Sequence, residues 1–272
     1  MRRRLLVLVA VSWGLAVHGL LVVLLLRPDV AERLAWRFGL PRPQAEITAF
    51  HREMTAYHAR ADAGVPDGAV IVLGDSLVQG LAVTALAPGA VNYGIGMDTT
   101  AAVLQRLPHH ASSLPRARAI VLAVGVNDLL RTDRDDAAIR RLRAQLVAAL
   151  PAQVPLLIGA LLPVDAARQR VPAGLNARIA ALNATLHADV AAWRAQGRRV
   201  QLVDAGPALR DATGALAARW HVGDGLHLNA AGNAVWAAAL RRGLDALVPP
   251  APDAATHAAS DARAPCPTTT RS

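Results

Sequence analysis

The sequence predicts an α/β fold in which a parallel β-sheet carries helices on both faces. Short apolar runs alternate with longer helical stretches between residues 66 and 248, and this alternation is typical of parallel sheets. Hydrophobic residues make up 53% of the 272 residues and charged residues 18%, which excludes a long disordered polyelectrolyte. Polar motifs follow several of the apolar runs, at the strand ends where such sheets carry their functional groups.

Five apolar runs have the length and composition of buried strands. They are residues 69–73, 90–92, 119–124, 154–161 and 200–203. Helical patterns cover residues 99–107, 135–150, 175–196 and 230–247. Asp98 and Asn229 stand directly before the first and the last of these patterns, where helix N-caps are expected.

The chain divides into four segments by composition. Residues 1–27 are expected to form a membrane anchor, because Arg2, Arg3 and Arg4 precede 22 residues without charge, 5–26. As a helix these would extend about 33 Å, enough for a bilayer core. A cleaved signal peptide, whose apolar region usually has ~7–15 residues, stays the alternative and would make the protein secreted. Residues 28–65 are expected to be a juxtamembrane linker, 66–248 the folded domain and 249–272 a disordered tail.

The net charge of +9 is concentrated beside the apolar N-terminus, where residues 1–60 hold nine arginines and four acidic residues. This distribution suits an anionic lipid surface, and no nucleic-acid-binding motif accompanies it. We therefore expect a membrane partner and no nucleic acid. The leading arginines favour an inside N-terminus, with the domain on the periplasmic side of the inner membrane. Basic residues that are all arginine, with abundant alanine, are typical of a high-GC bacterial source.

Composition excludes several kinds of site. Cys266 is the one cysteine, so neither an intrachain disulfide nor a cysteine-based zinc site can form. The absence of lysine excludes lysine Schiff bases and the P-loop. His51 and His58 lie seven residues apart, whereas a metal pair on a helix favours i,i+4 spacing. We interpret both histidines as solvated or packing residues and expect no cofactor.

Four motifs carry candidate catalytic groups. Ser76, in Gly-Asp-Ser-Leu at residues 74–77, stands at a strand-to-helix turn that can expose a nucleophile, although a serine there can also cap the helix. The glycines of Asn-Tyr-Gly-Ile-Gly-Met-Asp, residues 92–98, allow close backbone approach to a ligand. Asn127, in Gly-Val-Asn-Asp, can donate to an oxyanion. His227 follows Asp224 by three residues, so the carboxylate can orient the imidazole as a base.

In this order the four motifs resemble those of the SGNH/GDSL hydrolase superfamily, over residues 70–244. The chain is similar in particular to the catalytic subunits of platelet-activating-factor acetylhydrolase. The resemblance implies a flavodoxin-like, three-layer α/β/α fold, no metal, and hydrolysis of ester or thioester bonds. It makes Ser76 the nucleophile, His227 the base and Asp224 the acid that orients it. It also implies an oxyanion hole formed by the Ser76 N–H, a backbone N–H of the second motif and the Asn127 side chain.

Two positions leave alternatives open. Met97 stands where the family usually has a glycine, directly before the aspartate of the second motif. A backbone N–H donates whatever its side chain, so we expect the Met97 N–H to be the donor, with Gly96 as the alternative. Asp204 ends the last predicted strand and is the alternative to Asp224 as orienting acid.

The expected function is that of a serine esterase that cleaves a short-chain carboxylic ester through an acyl-serine intermediate. The ester could belong to a small molecule, a lipid or a glycan. Two alternatives remain from the sequence. One is an O-acyltransferase that acts on an envelope polysaccharide, and the other is a catalytically inert, membrane-tethered binding module. Leu77, Val78 and Leu81 could line an acyl pocket, but core packing is the expected role of these residues.

Overall fold

The computed structural model describes residues 2–26, 46–168 and 174–248. The chain forms two compact units, Met1–Gln44 and Ala45–Ser272. The first contains helix α1 (Arg2–Leu26). None of the helices in the described ranges is long and apolar enough to cross a membrane, so the transmembrane span expected at residues 5–26 is unsupported. The predicted tail and residues 28–45 of the predicted linker lie outside the described ranges.

A five-stranded parallel sheet forms the centre of the second unit. Its strands run in the spatial order β2-β1-β3-β4-β5, which is the flavodoxin-like order with its topological switch point between β1 and β3. The strands are β1 (Val70–Gly74), β2 (Val91–Gly94), β3 (Ala119–Ala123), β4 (Leu156–Gly159) and β5 (Val200–Val203). Their carboxyl ends are aligned, since Gly74 of β1 pairs with Gly94 of β2 on one side and with Ala123 of β3 on the other.

Helices connect the strands and cover both faces of the sheet. After helix α2 (Ala49–Asp62), they are α3 (Ser76–Gln79), α4 (Thr100–Arg106), α5 (Val126–Arg131), α6 (Asp136–Ala149), α7 (Leu175–Ala195), α8 (Gly206–Leu209) and α9 (Ala230–Leu247). Short 3₁₀ turns occupy Val83–Ala85, Leu107–His110, Leu114–Arg116 and Ala218–Trp220.

The sheet separates two hydrophobic cores, as the period of two along a strand requires. In β1, Val70 and Val72 pack with α3 and α9, whereas Ile71 and Leu73 pack with α4, α6 and α7. All five β1 residues are buried, which is why this strand reads as a continuous apolar run instead of an alternating one. The result is the three-layer α/β/α arrangement expected from the sequence.

Each of the five predicted strands is confirmed within one or two residues at either end. The four predicted helices are confirmed as well, and Asn229 caps α9 by accepting from the Gly232 N–H at 2.9 Å. The cap of α4 was predicted wrongly. Thr99 fills that position through its bond from the Ala102 N–H, because the Asp98 carboxylate is engaged elsewhere in the core.

Helix α2 lies within the segment predicted as a linker, and it packs on the folded unit. At its C-terminal end the buried Asp62 accepts hydrogen bonds from Tyr93 Oη at 3.2 Å, the Ser112 N–H at 2.9 Å and the Ser113 N–H at 3.2 Å. Nearby, His110 is fully buried and stacks on the Tyr93 ring, with 4.2 Å between the centroids. The compact unit therefore begins upstream of residue 66.

Candidate active site

Ser76 lies at the carboxyl edge of the sheet, on the sharp turn between β1 and α3. The turn needs glycine at position 74, because a Cβ there would lie 2.2 Å from the Ala123 carbonyl oxygen and 2.3 Å from Val78 Cγ2. Asp75 then caps α3 by accepting from the Leu77 N–H at 3.0 Å. Ser76 is the first residue of α3, and backbone N–H groups in the first turn of a helix have no intrahelical acceptor.

Asp224 and His227 come from the loop that precedes α9. The Oδ1 atom of Asp224 accepts from the backbone N–H groups of Leu226 and His227, each at 2.9 Å. On the same loop, the buried His221 accepts at Nδ1 from the N–H groups of Gly223 and Gly225, at 3.0 and 3.1 Å. These local bonds fix both the carboxylate and the backbone on either side of it.

The structure brings Ser76, His227 and Asp224 into one hydrogen-bonded chain. The Nδ1 of His227 lies 2.6 Å from Oδ2 of Asp224, and its Nε2 lies 2.9 Å from Ser76 Oγ. Burial acts to raise the pKa of Asp224, but the bonds from the His227 ring and from the Leu226 and His227 N–H groups outweigh it, so the pKa is lowered. The carboxylate therefore stays ionised, which keeps the Nδ1 proton toward Asp224 and leaves Nε2 as an acceptor.

Asp204, the alternative acid, has another role. Its Oδ1 accepts from the Gly206 N–H at 2.8 Å at the end of β5, which shapes the turn into α8.

The side chains of His227 and Asp224 are 42% and 37% exposed, so solvent reaches the hydrogen-bonded chain of Ser76, His227 and Asp224. In the described ranges, no group of three or more His, Cys, Asp or Glu residues could hold a metal ion.

Residues 95–99, the loop that follows β2, lie beside the serine. They form a β-turn closed by the bond from the Asp98 N–H to the Ile95 carbonyl at 3.2 Å. Met97 occupies its third position with φ of +69°, the conformation that a type II turn requires there and that favours glycine. A Cβ on Gly96 would lie 3.8 Å from Ser76 Cβ. The turn geometry explains why a glycine is usual at position 97 in the family that the sequence resembles.

The hydrogen bonds of this loop distinguish its two candidate donors. The Gly96 N–H donates to Gln79 Oε1 at 2.7 Å, so it is already engaged within the protein. Among the described residues, the Met97 N–H has no hydrogen-bond acceptor. The Met97 side chain is 41% exposed and its carbonyl accepts from Arg131. The geometry favours Met97 over Gly96 as a donor to a ligand.

Asn127 approaches the same loop from β3. Gly125, with φ of +133°, turns the chain at the start of α5, and Asn127 is 5% exposed. Its Nδ2 donates to the Asp98 carbonyl at 3.0 Å, which uses one of the two amide hydrogens and leaves the other for a ligand. Next to it, Asp128 accepts from the N–H and Oγ1 of Thr100, at 2.8 and 2.9 Å, and so supports the start of α4.

A buried network beneath the loop was missed in the sequence. Asp98 accepts from His51 Nδ1 at 2.7 Å and from Arg106 Nε at 2.8 Å. The Nη2 of Arg106 also donates to the carbonyls of Gly74 and Tyr93, at 3.1 and 2.7 Å. The local signal in helix α2 is the spacing of two histidines, His51 and His58, seven residues apart. No local pattern connects position 51 with position 98.

Asp75 is fully buried directly before the serine. Loss of solvation raises its pKa to about 7, against the bond from the Leu77 N–H, and the nearby charges of Asp98 and Asp128 raise it further. Burial likewise raises the pKa of Asp128, although its two bonds from Thr100 act in the opposite direction. Three carboxyl groups thus lie under the site, and an arginine neutralises the one at position 98.

The family is decided by a match over the catalytic region. The family model of the GDSL-like lipase/acylhydrolases matches residues 72–235, which is more than half of the chain and contains Ser76, Asn127, Asp224 and His227. The chain belongs to this family. It is therefore a GDSL-like hydrolase. No curated protein sequence matches it.

Solved structures of the same fold resemble the hydrolase over most of their length. A Streptococcus pneumoniae protein described as a platelet activating factor superposes with a TM-score of 0.65 at 21% identity, covering 80% of this chain and 99% of its own. A GDSL-like lipase from Bacteroides thetaiotaomicron gives 0.60 at 18%, with 71% and 98% covered. The lipase/acylhydrolase from Enterococcus faecalis gives 0.56 at 21%, with 68% and 100% covered. At these identities the likeness shows the fold.

The positive φ at residue 97 leads to a prediction for the hydrolase. In the left-handed conformation a non-glycine residue costs about 1–2 kcal/mol, and glycine returns about 0.4–1 kcal/mol of that through the unfolded chain. Met97→Gly should therefore leave the free energy of unfolding unchanged or raise it by up to about 1 kcal/mol. Turnover should stay within about threefold, because the backbone N–H is kept.

Denaturant unfolding and ester kinetics measure both effects. Met54→Gly is the matched control, because Met54 lies inside α2, where glycine costs about 1 kcal/mol. If Met97→Gly destabilised the protein as much as Met54→Gly does, the strain assigned to position 97 would be absent.

Asp75 leads to a prediction on pH. The folded state keeps the Asp75 proton up to about pH 7, whereas the unfolded chain releases it near the ordinary value of 3.8. The stability contributed by the protonated form is thus complete below pH 3.8 and is lost as the pH rises through 7. As the pH rises from 5 to 8, the free energy of unfolding of Asp75→Asn should therefore increase by about 2–3 kcal/mol relative to that of the wild type. The reason is that asparagine is neutral at both pH values and still caps a helix.

Urea unfolding at pH 5 and pH 8 measures this difference. Asp211→Asn serves as control, since hydrogen bonds from Thr213 lower the pKa of that exposed carboxyl and no such gain is expected. Equal pH dependence of the wild type and Asp75→Asn would contradict the assignment.

Proposed function

We propose that this GDSL-like hydrolase is a serine esterase that cleaves short-chain carboxylic esters through an acyl-serine intermediate. The observation that carries the proposal is the hydrogen-bonded chain from Asp224 Oδ2 to His227 Nδ1, at 2.6 Å, and from His227 Nε2 to Ser76 Oγ, at 2.9 Å. A base within hydrogen-bond reach of a hydroxyl, itself oriented by a third group, is the arrangement that serine catalysis needs.

In the first half of the reaction, Ser76 Oγ attacks the ester carbonyl while His227 Nε2 takes its proton. The imidazolium that forms is stabilised by the ionised Asp224, to which it stays bonded through Nδ1. When the tetrahedral intermediate collapses, the C–O bond to the alcohol breaks and His227 returns the proton to the leaving alkoxide. The acyl group then remains on Ser76 as an ester.

The negative charge on the intermediate needs hydrogen-bond donors that are already in place. The proposed donors are the Ser76 N–H, the Met97 N–H and the second Nδ2 hydrogen of Asn127. The Ser76 N–H lies in the first turn of α3, and the Met97 N–H has no acceptor among the described residues. The Asn127 amide is held in place by its bond to the Asp98 carbonyl.

Water completes the cycle by attacking the acyl-serine, with His227 again as base. The exposure of the His227 and Asp224 side chains supports access of water to this face of the ester. A sugar hydroxyl in place of water would make the protein an O-acyltransferase, and that is an outcome of the experiment below.

A short acyl group is supported by the residues next to the serine. Val78 and Leu81, which could have lined an acyl pocket, are both buried in the core of the α3–α9 face. Val78 and Leu81 are therefore not available to a long acyl chain, whereas Leu77 is half-buried.

The location of the domain on the periplasmic side stays a prediction from the N-terminal sequence.

Hydrolysis of p-nitrophenyl esters of increasing chain length by the full chain tests the proposal. The wild type should hydrolyse acetate and butyrate esters in preference to longer ones, and Ser76→Ala should abolish this activity. Asn127→Ala should lower kcat by about 10²–10³ with little change in KM, because its bond to the oxyanion is made in the transition state.

Asn233→Ala is a matched control for Asn127→Ala, since Asn233 donates to the Leu228 carbonyl at the start of α9 at 3.1 Å. Folded wild-type protein that is no more active than Ser76→Ala would contradict the esterase proposal. Turnover that rises when a carbohydrate acceptor is added would assign the acyl-serine to transfer instead of hydrolysis.

A further inference from the structure

Helix α2 and the residues just before it contact the loop 95–99 at two points and approach it closely at a third. His51 Nδ1 lies 2.7 Å from Asp98 Oδ1. A ring carbon of Phe50 lies 3.6 Å from the place of a Cβ on Gly96. Glu46 accepts from Thr99 Oγ1 and also from Arg134, at 2.5 and 2.7 Å. His51, Phe50 and Glu46 all lie upstream of the segment 72–235 that the family model matches.

The contact from His51 is the buried one. Its ring and the Asp98 carboxylate are 5% and 1% exposed, so the bond between them is shielded from solvent. Arg106 holds the other carboxylate oxygen, Oδ2. With one fixed donor on each oxygen, the carboxylate cannot turn about its Cβ–Cγ bond without breaking a charge-assisted hydrogen bond.

Asp98 in turn connects the two oxyanion donors that lie outside the serine motif. Met97, whose N–H is one proposed donor, directly precedes Asp98 in the chain. The amide of Asn127, the other proposed donor, is held on the Asp98 main-chain carbonyl at 3.0 Å. A change in the position of Asp98 therefore moves both donors at once.

We propose that His51 is a positioning residue for the oxyanion hole: through Asp98 it fixes the Met97 N–H and the Asn127 amide relative to Ser76. This inference rests on the proposed function. It assigns a catalytic support role to a helix outside the matched family segment, and it gives the N-terminal region a direct effect on turnover.

Three variants of the full chain separate positioning from folding. His51→Leu removes the donor to Asp98 and keeps side-chain volume. His51→Asn keeps a donor, because the asparagine Nδ2 takes the place of the histidine Nδ1. Asp62→Asn perturbs an equally buried polar residue at the other end of α2, whose bonds go to Ser112, Ser113 and Tyr93 and not to the loop 95–99.

Kinetics with p-nitrophenyl acetate are the first readout. His51→Leu should lower kcat by about 10- to 100-fold, as displacement of catalytic groups by about 1 Å does, with KM within about threefold of the wild-type value. His51→Asn should recover most of the loss. Asp62→Asn should lower the melting temperature while kcat stays within about threefold. If Asp62→Asn reduced kcat as much as His51→Leu does, or if His51→Leu kept wild-type kcat, the proposal would be wrong.

The side-chain amide of Asn127, followed by ¹⁵N NMR and assigned from its loss in Asn127→Ala, is the second readout. His51→Leu should shift this signal and speed its hydrogen exchange, and Asp62→Asn should not. An unchanged Asn127 signal in His51→Leu would overturn the positioning role whatever the activity. A shifted signal in a protein whose wild type hydrolyses no ester would uphold the positioning of Asn127 by His51 and reject the esterase proposal. Where His51→Leu does not fold, His51→Gln replaces it, because its amide reaches the Nε2 and not the Nδ1 position.

Discussion

The buried ion pair between Arg106 and Asp98 is the interaction on which the active-site geometry depends. Arg106 donates from Nε to Asp98, from Nη1 to His110 and from Nη2 to the carbonyls of Gly74 and Tyr93. Those carbonyls belong to β1 and β2, the strands that lead into the serine turn and into the loop 95–99. One guanidinium therefore holds both loops in register. Removing one partner of such a buried pair costs about 3–5 kcal/mol, because the other charge is left buried and uncompensated.

The site combines exposed reacting groups with buried support. His227 and Asp224 are open to solvent, whereas Asp98, Asn127 and Arg106 are not. This division suits acyl transfer, in which a substrate and then water must reach the serine, while the donors to the oxyanion must not reorganise during the reaction. The residue at position 97 lies at the boundary: its side chain is exposed, its N–H is a proposed donor to the oxyanion, and its backbone adopts a conformation that glycine would adopt without strain.

The strands of the sheet and the pairing of Asp224 with His227 could be predicted from the sequence because their signals are local. Buried parallel strands such as β1 are continuous apolar runs, and Asp224 and His227 stand three residues apart on one loop. The order of the strands and the meeting of Ser76 with His227, 151 residues away, came from the resemblance to a known family and not from the residues alone. The feature that distinguishes the N–H groups of residues 96 and 97 is not local, because it is a hydrogen bond from the Gly96 N–H to the Gln79 side chain.

The buried hydrogen bonds beneath the loop 95–99 could not be predicted, because they join distant parts of the chain. His51 and Asp98 are 47 residues apart, and each has a plausible local role, as a solvated histidine and as a helix cap. Helix α2 gave no strong signal of burial, since it contains few large apolar side chains and its buried residues, among them His51 and Asp62, are polar. In such a helix it is the hydrogen-bond partners, and not an apolar stripe, that decide which face is buried.

Capture of the acyl group on Ser76 tests the acyl-serine mechanism directly. The full chain is mixed with an activated acetate ester, quenched in acid within seconds, digested and examined by mass spectrometry. The peptide containing Ser76 should gain the mass of one acetyl group in the wild type and none in Ser76→Ala, and Asn127→Ala should acquire the group more slowly. Sustained hydrolysis by the wild type with no acyl group on Ser76, or with the acyl group on another residue, would contradict the acyl-serine mechanism.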